Sequence, residues 1–201
     1  GGLKTVTKDM QTWRSEFKGG DAPAPPAKAK PAVTARPVAA MKGPPVCEFS
    51  EGASKWKIEY QIADCSIECK DKKETVYIFG CVGASIDVKG KCKSIIMDNC
   101  KKTKVTFDAA MASFEVVNCQ RVNVICREAV PAVAIDKTDG IVVFLPQSSL
   151  TTEVVASKSS EMNMQWNDEN GELIERPIPE QYVHRIKGPT VTADVSDLYG
   201  H

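Results

Sequence analysis

Long apolar runs are missing from this 201-residue chain. The longest, AVPAVAI at 129–135 and IVVFLP at 141–146, fall far short of the roughly 20 residues a helix needs to cross a bilayer, so no helical membrane span is expected. Net charge is missing too: 26 Lys/Arg balance 26 Asp/Glu, which gives no overall pull toward nucleic acid or a membrane. Histidine is nearly absent, with only His184 and His201, and the eight cysteines include no CxxC pair. A structural zinc centre therefore lacks its ligand pattern, and no metal or other cofactor is expected. FGCVGAS at 79–85 has two glycines but neither GxGxxG nor GK[ST], so it reads as a tight backbone corner rather than a phosphate cradle. Cysteine is also too sparse for a small disulfide scaffold, and reduced thiols in a cytosolic protein are expected. The chain opens Gly-Gly rather than Met, with no apolar leader ahead of the fold; it is read as a fragment.

The charge that is present is unevenly placed. Residues 1–45 carry eight Lys/Arg against three Asp/Glu, while the remainder carries eighteen against twenty-three. Residues 21–45 hold seven of the twelve prolines and eight alanines. Such a segment cannot bury enough surface to offset its ordering entropy, so a disordered linker is expected over 21–45. Within it Pro23 to Lys28 fits a PxxPx[K/R] ligand for an SH3 domain, whose groove accepts a preformed polyproline II helix.

From about residue 57 a 19-residue repeat takes over. Steps of 19 from Val76 reach Ile95, Phe114 and Val133; from Ile78, Met97, Val116 and Ile135; from Ile86, Val105, Val124 and Val143; from Val88, Phe107, Cys126 and Leu145. All sixteen positions are apolar, and within each unit the pairs lie two residues apart, the period of a strand with one buried face. Short strands that return to one phase every 19 residues cannot form a core singly, but stacked coils can. The expected fold is all-β, a parallel β-helix of six units beginning near Lys57, Val76, Ile95, Phe114, Val133 and Thr152. Backward, the phase reaches Ile67 and Cys69 from Ile86 and Val88; forward, Met162 and Met164 from Val143 and Leu145.

Cys81, Cys100 and Cys119 share that spacing and have Thr138 as the fourth of their series. A hydroxyl could not replace a required thiolate ligand, so these positions are expected to be one coil corner sampled repeatedly, lined by small buried side chains. Asp98, Asp108 and Asp136 lie on or near strands and corners without a convergent base, so solvated carboxylates are expected rather than a hydrolase site. Outward positions of the second strand in successive coils are Ser85, Asp87, Lys89; Lys104, Thr106, Asp108; and Asn123, Ile125, Arg127. That strip is either plain solvated surface or a rigid protein-binding platform. After about residue 170 the phase is lost, and Tyr182–Ile186 and Val191–Val195 read as a hairpin. An open solenoid end needs a cap, and this hairpin is expected to supply it, folded back on its own chain or exchanged with a second one.

GLKTVTKDMQTW at 2–13 resembles the second half of a WASP-homology-2 actin-binding segment. Carried over, Leu3 and Val6 would meet apolar actin surface and Lys4 its acidic patches, with Thr5 where that family commonly has a second Lys. Together with the proline-rich linker, KWKIEYQI, VYIFGC, FEVVNC and RPIPEQY at 176–182, the whole chain resembles the C-terminal half of the cyclase-associated protein family. The resemblance implies a right-handed parallel β-helix of about six coils, dimerised by exchanged C-terminal hairpins. It also implies a cytoplasmic, cytoskeleton-associated factor without enzymatic activity, one that binds ADP-actin monomers, promotes exchange of ADP for ATP and recycles monomers released by cofilin. On that basis the chain divides into a partial WASP-homology-2 segment (1–20), the linker (21–45), the β-helix (46–170) and a dimerising tail (171–201). Actin contacts are implied on the β-helix face, where exposure selects Lys104, Thr106, Asp108 and Arg127, and on the tail at Asp197, Leu198 and Tyr199. Dimer contacts fall on Tyr182, Val183, His184, Arg185, Ile186, Val191 and Val195. A second resemblance, to the GTPase-activating β-helix of tubulin cofactor C, rests on Cys126-Arg127-Glu128. It lacks that family's glutamines and carries its arginine three positions early.

Overall fold

The computed structural model describes residues 43–197. Fourteen strands occupy this span: β1 (Val46–Ser50), β2 (Lys55–Glu59), β3 (Cys65–Cys69), β4 (Thr75–Phe79), β5 (Ser85–Asp98), β6 (Lys104–Val117) and β7 (Gln120–Ala129), followed by β8 (Ala132–Asp136), β9 (Asp139–Phe144), β10 (Glu153–Ser157), β11 (Ser160–Asn167), β12 (Leu173–Pro177), β13 (Tyr182–Lys187) and β14 (Thr190–Val195). They wind into six stacked coils. One wall is the parallel series β2, β4, the second half of β5, the second half of β6, β8 and β10. The opposite wall is β3, the first half of β5, the first half of β6, β7, β9 and β11.

The core lies between the walls. All sixteen apolar positions picked out by the 19-residue step are 5% exposed or less, so each inward side chain sits directly on its equivalent in the next coil. The period is not constant at the ends. Trp56, not Lys57, pairs with Val76. Ile67 pairs with Val88 and Cys65 with Ile86, two positions away from the extrapolated phase. At the other end Met162 pairs with Ile141 and Met164 with Val143, and Val154 rather than Thr152 continues the column of Val133. The cause is corner length: the loop between β3 and β4, and the Pro146–Thr152 corner with its short 3-10 turn Gln147–Ser149, each hold two more residues than their counterparts in the central coils, while the corner between β2 and β3 holds one fewer, which leaves Trp56 displaced by a single position.

The corner between the walls repeats one backbone shape. Gly80, Asn99, Asn118, Lys137 and Lys158 all have positive φ, as do Gly83, Lys102, Arg121, Gly140 and Glu161 three residues later; Gly and Asn pay little for that region. The residue after the first of each pair has its N–H turned along the stack. Cys81 N–H donates to Cys100 Sγ at 3.4 Å, Cys100 N–H to Cys119 Sγ at 3.4 Å, Cys119 N–H to Thr138 Oγ1 at 3.3 Å and Thr138 N–H to Ser159 Oγ at 3.1 Å. The position therefore needs a small side chain that also accepts a hydrogen bond, which Cys, Thr and Ser all provide. Neighbouring thiols and burial push the Cys100 thiol up, which keeps it protonated. The opposite corner is tighter. Gly90, at φ +79°, packs so closely that a Cβ there would lie 2.4 Å from the Cys69 carbonyl oxygen, so only glycine fits.

At each end an antiparallel strand covers one of the two walls. β1 covers β2, and β12 covers β11. β12 was not expected as an end strand, since its LIERP sequence has no alternation to announce it. β13 and β14 pair with each other as a separate two-stranded sheet, and every residue in both is exposed. The hairpin does not fold back as a cap on its own solenoid, and among the described residues β10 has no strand on its outer edge.

Candidate functional site

The outer face of the β3-to-β11 wall is a grid fixed by strand register. One row runs Ser85, Lys104, Asn123, Val142, Asn163, and the next Asp87, Thr106, Ile125, Phe144, Gln165. Because parallel neighbours are about 4.8 Å apart, each row is a ruler of side chains on a stiff backing. Its early coils carry charge, Ile125, Val142 and Phe144 make an apolar middle, and the last coil presents the amides Asn163 and Gln165. Lys104, Asn123, Ile125, Val142, Phe144 and Gln165 surround a shallow depression on this face.

Arg127 knits the charged end together. Its Nη1 donates to Asp108 Oδ1 at 2.8 Å and its Nη2 to Asp87 Oδ1 at 2.7 Å, tying three coils. Asp108 also accepts the Gly90 N–H at 2.7 Å. Burial alone would raise the Asp108 carboxyl, but the Gly90 amide and the Arg127 guanidinium hold it below the usual carboxylate range. The two aspartates in turn raise the Arg127 pKa above its ordinary value. An arginine finger must reach a partner's phosphoryl group; this guanidinium is already engaged by two carboxylates.

Of the residues expected on this face, Lys104, Thr106, Asp108 and Arg127 do share it, and Asp108 and Arg127 are in direct contact. Ile125, already on the outward strip, is joined by Val142 and Phe144 to form its apolar part, and these last two are not singled out by composition. In IVVFLP every residue is apolar, so hydrophobicity cannot distinguish inward Ile141 and Val143 from outward Val142 and Phe144; only the phase of Lys104 and Thr106, carried forward two coils, does so. Asp98 and Asp136 lie on the other wall with Val117 between them, away from Asp108. Asp98 accepts from Tyr77 Oη at 3.2 Å and Asn118 Nδ2 at 3.3 Å. Among the described residues no group of three or more His, Cys, Asp and Glu could hold a metal ion. Asp197 is exposed, whereas Leu3, Lys4, Thr5, Val6, Leu198, Tyr199 and the Pro23–Lys28 motif lie outside the described residues.

The hairpin presents a second surface. Pairing of Tyr182 with Val195, His184 with Ala193 and Ile186 with Val191 puts these six on one face. Val183, Arg185 and Lys187 occupy the other face with Thr190, Thr192 and Asp194, where Arg185 Nη1 meets Asp194 Oδ2 at 2.6 Å.

The family described as "Adenylate cyclase associated (CAP) C terminal" matches residues 43–198. The chain belongs to that family. Within it, the chain is 42% identical over 192 residues to "Adenylyl cyclase-associated protein" of Dictyostelium discoideum, covering 93% of this chain and 39% of that protein. It is 37% identical over 203 residues to "Adenylyl cyclase-associated protein 2" of Homo sapiens, covering 98% and 42%. The chain thus spans about two fifths of the length of the curated relatives it matches. The crystal structure of cyclase-associated protein from Cryptosporidium parvum superimposes with a TM-score of 0.73 at 25% identity, covering 78% of this chain and 98% of that one.

Proposed function

We propose that this chain binds monomeric actin, preferentially with ADP bound, and accelerates exchange of that ADP for ATP so that monomers released by cofilin re-enter assembly. Membership of the cyclase-associated protein C-terminal family across the whole β-helix carries this reading. The grid of Lys104, Thr106, Ile125 and Phe144 is the surface for it: a preorganised face spends little conformational entropy on contact. No covalent chemistry is needed. A ligand moves an equilibrium only by its differential affinity for the two states, so the chain must hold the actin conformation whose nucleotide cleft is open more tightly than the closed one. Leu3, Lys4, Thr5 and Val6 add a further contact, the tail residues Asp197, Leu198 and Tyr199 another, and the paired hairpins of two chains bring two such faces into one particle.

Binding to fluorescently labelled ADP-actin monomers tests the contacts. Lys104→Glu reverses a charge on the face without disturbing the buried columns, and we expect about tenfold weaker binding, or ~1.4 kcal/mol, with an unaltered melting temperature. Leu3→Ala with Val6→Ala should weaken binding further by a similar factor. Wild-type affinity in both variants would remove the assigned surfaces.

A further inference from the structure

All eight cysteines are unpaired, and six of them, Cys69, Cys81, Cys92, Cys100, Cys119 and Cys126, are buried. The two that solvent reaches, exposed Cys47 and half-buried Cys65, are also the two that touch outside the core: Cys65 Sγ lies 3.3 Å from Cys47 Sγ. Their places in the fold give the contact a use. Cys47 is on β1, the terminal strand, which is held in the sheet by β2 alone. Cys65 opens β3 on the opposite wall of the first coil, in register with Ile86. A bond between them would fasten the end strand to a wall that its own hydrogen bonds do not reach.

We propose that Cys47 and Cys65 are an oxidation site, a thiol pair that peroxide converts reversibly into a disulfide staple locking β1 onto the first coil. Cys47, the accessible member, meets the oxidant. Its thiolate sulfur attacks one oxygen of hydrogen peroxide, the O–O bond breaks and hydroxide leaves, taking up a proton to become water; Cys47 is then a sulfenic acid. The Cys65 sulfur attacks the Cys47 sulfur, the S–S bond forms, and the S–O bond breaks with release of a second water that carries the Cys65 proton. Two thiols are oxidised by two electrons and one peroxide is reduced to two waters. A reduced thiol such as glutathione reverses the step by exchange. Burial first, and then the adjacent Cys47, push the Cys65 thiol up to about 12, so in the resting pair Cys65 remains the protonated donor.

Closing a loop that runs from residue 47 to 65 restricts the unfolded chain, and it fixes β1 as a wall of the groove that contains Phe49, Trp56, Ile67 and Glu74. The test uses the intact chain, treated with hydrogen peroxide and compared with an untreated sample under non-denaturing conditions. We expect the mass of two hydrogens to be lost, a non-reduced digest to join the peptides bearing Cys47 and Cys65, and the melting temperature to rise by a few degrees. Dithiothreitol should undo all three. Cys47→Ser and Cys65→Ser, whose own melting curves report folding, should each abolish the mass loss. Oxygen addition at Cys47 without a cross-link, a cross-link between two chains, or a mass loss that survives in Cys47→Ser would each overturn the proposal.

Discussion

Phe114→Ala should lower the unfolding free energy by about 3–5 kcal/mol, the range for removing a buried aromatic ring. Phe114 is fully buried at the centre of the solenoid and stacks on Phe107 with ring centroids 5.1 Å apart. Its column neighbours are Ile95 and Val133. Backbone ladders hold the spacing between coils, so the surroundings cannot collapse into the space the ring vacates, and most of the cavity penalty stays. In a domain of this size each kcal/mol moves the melting temperature by about 2–4 °C, so a fall of about 10 °C is expected at matched protein concentration. Glu115→Ala, one residue along on the outward face, should change stability by no more than about 0.5 kcal/mol. A melting temperature for Phe114→Ala within about 2 °C of the original would contradict the assignment of the inward column.

Replacing Ile186 and Val191 together by Asp should convert a dimer of about twice 21.9 kDa into a monomer. The two residues face each other across the hairpin and are 83% and 66% exposed. They belong to a face that also carries Tyr182, His184, Ala193 and Val195, while Val183 shares the other side with Arg185, Lys187, Thr190, Thr192 and Asp194. A lone two-stranded hairpin is marginal in water, and a one-sided apolar surface of this kind calls for a cover. A second chain's hairpin would supply that cover. Two aspartates directly opposite one another add like-charge repulsion and would be desolvated in the interface. Sedimentation should therefore give the monomer mass for the variant, with the solenoid's melting transition retained. Removing residues 181–201 should give the same result. A monomeric parent chain, or a dimeric variant, would refute the role of this face.

Much of the solenoid was legible because its core is a column of repeats. A side chain at one inward position predicts the burial of its equivalents 19 residues away, since the same wall of the same coil recurs. What broke the extrapolation was local: two extra residues in the Pro146–Thr152 corner displaced the last coil by two positions, so that Ser159 continues the Cys81, Cys100, Cys119 and Thr138 series 21 residues after Thr138 rather than 19. Those corner cysteines were legible as small and buried. Their role as acceptors for the N–H of the coil before was not, because it depends on the positive-φ residue that precedes each of them. β12 was invisible for a different reason: an end strand with only Ile174 half-buried has no periodicity to display. The surface was harder still. Arg127 reaching Asp87 across two coils joins residues 40 positions apart, and the Cys47 and Cys65 contact joins opposite walls, so neither follows from the spacing of apolar residues.

Release of a fluorescent ADP analogue from actin monomers, followed as this chain is titrated in, decides whether the chain is an exchange factor. The release rate should rise with chain concentration to a plateau, and Lys104→Glu should shift that rise to higher concentration. A release rate that stays at the level of actin alone when the chain is saturating would contradict that role.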